Sequence, residues 1–382
     1  MDKDKKLKSI AIVARLVTGH TGTTTTILEH TRRLSAAGWG VHVFGEKLAA
    51  AKIEEAGGSA HVLPRLPIGS YVKRRLFAWF FDRDIKARNF DIIRGHGDTL
   101  EQDVLCLHNC VHAAYEAVNG RPLPNSAGVG RIHSRILHDQ KFKLLVANSK
   151  LMKDEVMHRF GVPAGKIAVI HPGYDPKRFR PDDRPMGAPV REELGVKKDE
   201  VLIGLLTSGD FKKRGVGIFL GALRRLSEGS KKKVRAVIIG KEAKLKPYQE
   251  MARQTGLGER VRILPPVPDL VKHYHALDIS VHPALYEEFG QSVQEAMACG
   301  VPVLTSRRTG AAELLEGDTT GLVTKSPDES ALARNMERLI QDPALRLRHA
   351  KAAYAACRFN TWDANCKKHQ ALYEGLLEKR IS

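Results

Sequence analysis

Two α/β domains, each built on a doubly wound parallel sheet, are the architecture this sequence predicts, and three observations predict it. Short apolar runs of buried-strand type recur along the chain, as at residues 10–13, 201–206 and 234–239. Helical patterns and glycine stops separate them, so strands and helices alternate in the manner of parallel crossovers. The 382 residues, 42% of them hydrophobic, suffice for two sizeable cores.

The first crossover lies at residues 9–45. Ser9-Ile10-Ala11-Ile12-Val13-Ala14 is a strand, and Gly19-His20-Thr21-Gly22-Thr23 a loop aimed at the carboxyl end of the sheet. Ile27, Leu28, Thr31 and Leu34 then mark a helix face, Gly38 ends it, and Val41-His42-Val43-Phe44-Gly45 restarts a strand. The loop is either a tight turn or, with Gly22, a backbone surface for a phosphate or an acceptor. Residues 71–81 mix bases with aromatics at near-helical spacing. They fit an amphipathic helix packed on the sheet, or one lying in an anionic membrane interface. Asp82-Arg83-Asp84 falls on the same helical segment and reads as solvated charge rather than a metal site.

Residues 91–96 and 104–109 give two further strands. His108 closes the second, and a polar residue ending a buried parallel strand stands at the ligand face; His96 is its rival nearby. Residues 119–128 form a turn-rich loop, and 143–149 a strand whose end caps the next helix. Four prolines in 176–189 read as the interdomain linker.

The second half opens with the strand at 201–206 and a basic loop, Thr207-Ser208-Gly209-Asp210-Phe211-Lys212-Lys213-Arg214-Gly215. This loop is either a solvated turn or an anion site. Gly215-Val216-Gly217 is too weak for a dinucleotide fingerprint, because the next strand ends in Gly240-Lys241 rather than a ribose-binding acid. The most informative stretch follows. A strand ends near His282, the acidic loop Glu287-Glu288-Phe289-Gly290 leads into a short helix, and Gly300 stops it before Pro302-Val303-Leu304. Glu287 and Glu295 can line one crevice at different depths. The amides of Gly290, Gln291, Ser292 and Val293 form a cationic pole suited to a phosphate, with sugar or ribose hydroxyls within reach of the two acids. The competing account is plain: Ser292 to Glu295 has the spacing of a capping box.

Composition bounds the partners. A formal charge of +19 calls for an anionic one: a phosphorylated acceptor, an acidic membrane surface or nucleic acid. No apolar run approaches the ~20 residues of a membrane span. Residues 10–17 are interrupted by Arg15 and lack a small-residue cleavage site, so a cytoplasmic protein is expected. Cys106, Cys110, Cys299, Cys357 and Cys366 lack metal-ligand spacing and read as buried thiols; no acid pair for a metal is evident either, and no metal or cofactor is expected.

The order Glu287, Phe289-Gly290, then Glu295-Ala296-Met297-Ala298-Cys299-Gly300-Val301-Pro302-Val303 resembles the signature of retaining GT-B glycosyltransferases of family 4. It departs at Glu288, where proline is usual. The Ser-Asp-Phe pattern with its basic triplet at 208–214 is most similar to lipopolysaccharide-core sugar transferases, although the family's upstream arginine is replaced by Gly209. Thr309-Gly310-Ala311-Ala312-Glu313 and residues 317–323 match the family's closing elements. The resemblance implies two Rossmann-like domains facing a cleft: an acceptor domain at 1–180 joined by a C-terminal helix at 362–382, and a donor domain at 190–361. It implies transfer of a sugar from a nucleoside-diphosphate donor, a UDP-sugar, to an anionic glycan or glycolipid of the cell envelope, with retention, without metal and without nucleic acid. His108 and Glu287 would be catalytic. Gly22, Lys213, Arg214 and Gly290 to Val293 would bind the diphosphate, and Glu295 the ribose. A nucleotide-sugar epimerase of the same fold and a basic nucleic-acid-binding protein are the alternatives.

Overall fold

The computed structural model describes residues 7–381 apart from 20, 68, 87 and 316–321, so part of the turn expected at 317–323 lies outside the described residues. The chain divides into two compact units. One comprises Met1–Glu116, Arg121–Gly173 and Trp362–Ser382, the other Ala117–Gly120 and Tyr174–Thr361.

The first stretch of chain carries β1 (Ser9–Val13), β2 (Leu16–Val17), α1 (Gly22–Ala36), β3 (Gly40–Gly45), β4 (Lys47–Leu48), α2 (Ala50–Glu55), β5 (Ser59–Val62) and α3 (Ser70–Lys86). It continues through β6 (Ile92–Gly95), β7 (Gln102–Leu107), α4 (Val111–Asn119), α5 (Gly128–Asp139), β8 (Phe142–Ala147), α6 (Lys150–Phe160) and β9 (Ile167–Val169). Its seven-stranded sheet runs β5-β3-β1-β6-β7-β8-β9, with every neighbouring pair parallel. The chain winds outward from β1 through β3 to β5, then returns to β6, which makes β1/β6 the switch point.

The second unit follows with α7 (Ala188–Glu193), β10 (Val201–Leu206), α8 (Val216–Arg224), α9 (Glu228–Lys231), β11 (Val234–Ile239), α10 (Lys246–Arg253), β12 (Val261–Leu264) and α11 (Val271–Ala276). Then come β13 (Ile279–His282), α12 (Gln291–Ala298), β14 (Val303–Ser306), β15 (Val323–Thr324), α13 (Glu329–Gln341) and α14 (Pro343–Cys357). Its sheet order is β12-β11-β10-β13-β14-β15, again parallel, with the switch at β10/β13. Alternate residues of β10 feed opposite cores. Ile203 and Leu205 join Phe219 and Leu223, while Leu202 and Leu206 join Ala296 and Met297. Burial on both faces explains why the strands read as continuous apolar runs.

Local signals end the helices where expected. Thr21 caps α1 by accepting from the Thr24 amide, and Ser149 caps α6 by accepting from Met152 at 3.0 Å. Gly300, at φ +68°, stops α12 in the left-handed conformation. In α3, Phe77 and Phe81 bury with Phe44 and Leu63, Ala78 is also buried, and Val72, Arg75, Trp79 and Arg83 are exposed. The segment expected as a linker is instead folded into the second unit. Residues 181–187 form a 3₁₀ turn leading into α7, and Phe179 and Val190 bury with Tyr274. Two of its prolines, Pro181 and Pro189, sit in first helical turns, where a missing N–H costs little, and Pro185 lies inside the 3₁₀ turn.

The last helix, α15 (Trp362–Ile381), completes the first unit. Asn365 Oδ1 lies 2.6 Å from His30 Nε2, and Arg94 Nη1 lies 2.5 Å from His30 Nδ1 and 3.2 Å from the Tyr373 hydroxyl. A neutral His30 satisfies both contacts, donating from Nε2 and accepting at Nδ1. Burial, reinforced by the Arg94 guanidinium, holds His30, His96 and His108 below their ordinary range. Burial and His30 do the same to His369.

Acid should therefore loosen this unit. Below pH ~6.5 the unfolded chain takes up protons that the folded core refuses, so stability falls as pH drops toward the folded values, about 3 for His108. One such group costs about 2 kcal/mol at pH 5. The melting midpoint at constant ionic strength should drop markedly from pH 7.5 to pH 5; a flat profile would refute this account.

Candidate functional site

The loops after β10 and β13 flank the switch point of the second sheet, at the carboxyl ends of its strands. Backbone contact joins them. Gly215 adopts φ +71°, and a Cβ there would lie 2.0 Å from the Pro283 carbonyl oxygen. The Leu285 amide donates to Lys213 O at 2.9 Å. The acidic loop is held from its other side by residues 308–311. Glu287 N donates to Arg308 O, Gly310 N to Glu287 O and Ala311 N to Phe289 O, at 2.8, 2.9 and 2.7 Å. Gly290 (φ +92°) then turns the chain into α12 where a Cβ would meet Thr309 at 3.0 Å.

This framework brings Lys213, Arg214, Glu287 and the start of α12 together. Arg214 pairs with Glu287, and Lys213 Nζ donates to Glu288 at 3.0 Å. The two acids are 8% and 3% exposed. Two cations facing two carboxylates leave this part of the site self-neutralised. Glu288, met in the sequence as a departure from proline, anchors one of these pairs. His282, the last residue of β13, stands 3.8 Å from Glu287 and 3.4 Å from Ser292 Oγ. Burial, with Arg214 and Lys213 adding to it, lowers His282 to about 3, so it stays neutral and is a hydrogen-bonding partner rather than a charge. In the sequence His282 only marks a strand end, although the signal that singles out His108, a polar residue ending a buried strand, applies to it as well. Of the four amides at the helix start, that of Val293 is taken by the Gly290 carbonyl at 3.0 Å, so it is not a free donor.

Glu295 lies a turn further along α12 and makes a different contact. Tyr274 of α11 donates its hydroxyl to Glu295 Oε2 at 2.8 Å. Desolvation raises this carboxyl to about 7, against the pull of the Tyr274 hydrogen bond and Arg178. The capping-box alternative is not realised, because the cap of α12 is Gly290 and no side chain bonds there.

Gly22 and His108 belong to the first unit. Gly22 is the exposed first residue of α1, behind the Thr21 cap. His108 follows β7 directly, and His96 pairs with it: His96 Nδ1 and His108 Nε2 are 2.6 Å apart. Asn148 Nδ2 donates to the His108 carbonyl at 3.3 Å.

The glycine contact is testable by itself. Gly215→Ala should destabilise the second unit by about 2–4 kcal/mol, from a disfavoured φ and a collision with backbone. Chemical denaturation measures it, and an unchanged midpoint would contradict the loop packing described.

Residues 190–356 match the family described as Glycosyl transferases group 1, and residues 20–178 that described as Glycosyltransferase Family 4. The chain is 30% identical over 246 residues to D-inositol 3-phosphate glycosyltransferase of Streptomyces avermitilis, covering 61% of this chain and 52% of that protein. The same enzyme of Xylanimonas cellulosilytica is 31% identical over 229 residues, 57% of this chain and 54% of that one. The chain thus spans about half the length of the curated relatives it matches. Among solved structures, WaaG, a glycosyltransferase involved in lipopolysaccharide biosynthesis, superposes with a TM-score of 0.80 at 18% identity over 96% of this chain and all of that one. Anabaena HepE in complex with UDP-glucose gives 0.75 at 19% identity, over 96% of this chain and 99% of that one. At such identities the likeness is one of fold, GT-B. A chain carrying both of these domains, in this order and on this fold, belongs to the glycosyltransferases of group 1 and family 4.

Proposed function

We propose that the protein transfers a sugar from a nucleoside-diphosphate donor, with uridine as the base, to a phosphate-bearing polyol or glycan, retaining the anomeric configuration. The observation that carries this reading is the cluster of Lys213, Arg214, Glu287 and Glu288 at the start of α12. As the glycosidic bond breaks, negative charge builds on the leaving diphosphate. Lys213, Arg214 and the helix start supply the opposing charge that a metal supplies in other transferases. Arg214 can bind phosphate in bidentate fashion. For a cation to reach the diphosphate its carboxylate must let go, and Glu287 is then freed to accept hydroxyls of the donor sugar. Glu295 accepts ribose hydroxyls. Gly22 is assigned to phosphate and His108, neutral and held by His96, to sugar hydroxyls. UDP-glucose in HepE supports the donor class. The acceptor chemistry is supported by the +19 charge and by the relatives' phosphorylated inositol. Lipopolysaccharide core has the same phosphate-bearing character.

A thermal-shift panel of UDP-, GDP- and ADP-sugars identifies the base, and donor turnover with phosphorylated acceptors tests the rest. Glu287→Gln should lower kcat by at least about 100-fold with the fold intact; full activity would remove this assignment. Donor affinity should weaken as pH falls through about 7, because protonation of Glu295 removes its acceptor charge. Glu295→Gln should flatten that dependence, and an unchanged profile in the variant would place the titration elsewhere.

The reading includes a cytoplasmic enzyme that touches anionic membrane through the Val72, Arg75, Trp79 and Arg83 face of α3. No described helix is long and apolar enough to cross a membrane. Co-sedimentation with phosphatidylglycerol vesicles should exceed that with phosphatidylcholine and fall on Trp79→Ala. Equal recovery with both lipids would exclude the contact.

A further inference from the structure

Arg94, on β6 of the first unit, is wholly buried, and no carboxylate pairs with it among the described residues. Its Nη1 serves His30 and Tyr373, while Nε and Nη2 are buried without a hydrogen bond of good geometry, with the neutral Cys106 thiol as the neighbouring weak acceptor. The groups around it provide no counter-charge. His30, His96, His108 and His369 are held neutral, and burial raises both the Cys106 thiol and the Tyr373 phenol. Beside the guanidinium lies a cavity of about 20 Å³ whose walls include Thr26, Cys106, His108, Asn148 and His369. That is room for one water or one monatomic ion and too little for phosphate or sulfate.

We propose that this cavity is a binding site for a monatomic anion, chloride under cellular conditions, held by the Nε–H and Nη2–H groups of Arg94. The choice between anion and water turns on charge. Asn148 Oδ1 also lacks a partner and borders the cavity, so a water could bridge it to the guanidinium. A bridging water fills hydrogen bonds but leaves a full positive charge in the core without compensation. A halide supplies both the acceptor and the opposite charge, and their attraction is strongest where water is excluded. The Asn148 amide can adapt by turning end for end, giving up its 3.3 Å bond to the His108 carbonyl in order to point Nδ2 at the ion. The halide would then join β6, α1 and α15 around a single charge.

The test uses the full chain. Crystals soaked in sodium bromide should show an anomalous peak in van der Waals contact with Arg94 Nε or Nη2; density with no anomalous signal, a water alone, would overturn the proposal. In solution at pH 7.5 and fixed ionic strength, replacing sodium gluconate by sodium chloride should raise the melting midpoint, by about 3–6 °C when chloride reaches ten times its Kd. Arg94→Gln should abolish that difference. A chloride effect of equal size in Arg94→Gln would assign it to surface charge and reject the site, and if that variant fails to fold, the bromide peak in the wild-type protein decides alone.

Discussion

The contact between Gly215 and the Pro283 carbonyl is the constraint on which the second unit's chemistry depends. Two loops leave the carboxyl ends of neighbouring parallel strands, and any side chain at 215 would hold them apart. With only a hydrogen there, the Lys213 carbonyl meets the Leu285 amide, and Lys213 and Arg214 lie beside the two glutamates. Parallel strands supply the common end, glycine supplies the approach, and the charged groups follow from both.

That proximity has an electrostatic cost and a use. Four ionised groups with little access to water are tolerable only in pairs, because an unpaired one would have to be desolvated without compensation. Arg214 with Glu287 and Lys213 with Glu288 meet that demand. Neutral His282 completes the wall without adding a fifth charge. On the function proposed above, a diphosphate entering such a place would exchange one anionic partner for another rather than fill an uncompensated hole, lowering the difference in energy between the two arrangements.

The fold was legible in the sequence because strands buried on both faces must be apolar throughout, as in Val201–Leu206, and because glycine stops such as Gly300 mark helix ends. The ends of buried strands also drew attention to His108. The contacts around those positions were not legible. Glu288 and Lys213 are 75 residues apart, Glu295 meets Tyr274 from a different helix, and nothing local pairs His96 with His108. The segment at 176–189 misled because Pro181 and Pro189, which begin helical turns, look one by one like prolines of a linker. Local pattern specifies elements; partners across the sheet are specified by topology, which a pattern does not carry.

The position of α15 bears on how the protein is made. As the nascent chain leaves the ribosome, β1 to β9 emerge long before residues 362–381, with the whole second sheet synthesised in between. Until then Arg94 lacks Tyr373, and His30 lacks Asn365. The first unit is thus completed only once the second has been synthesised, because α15 supplies these partners.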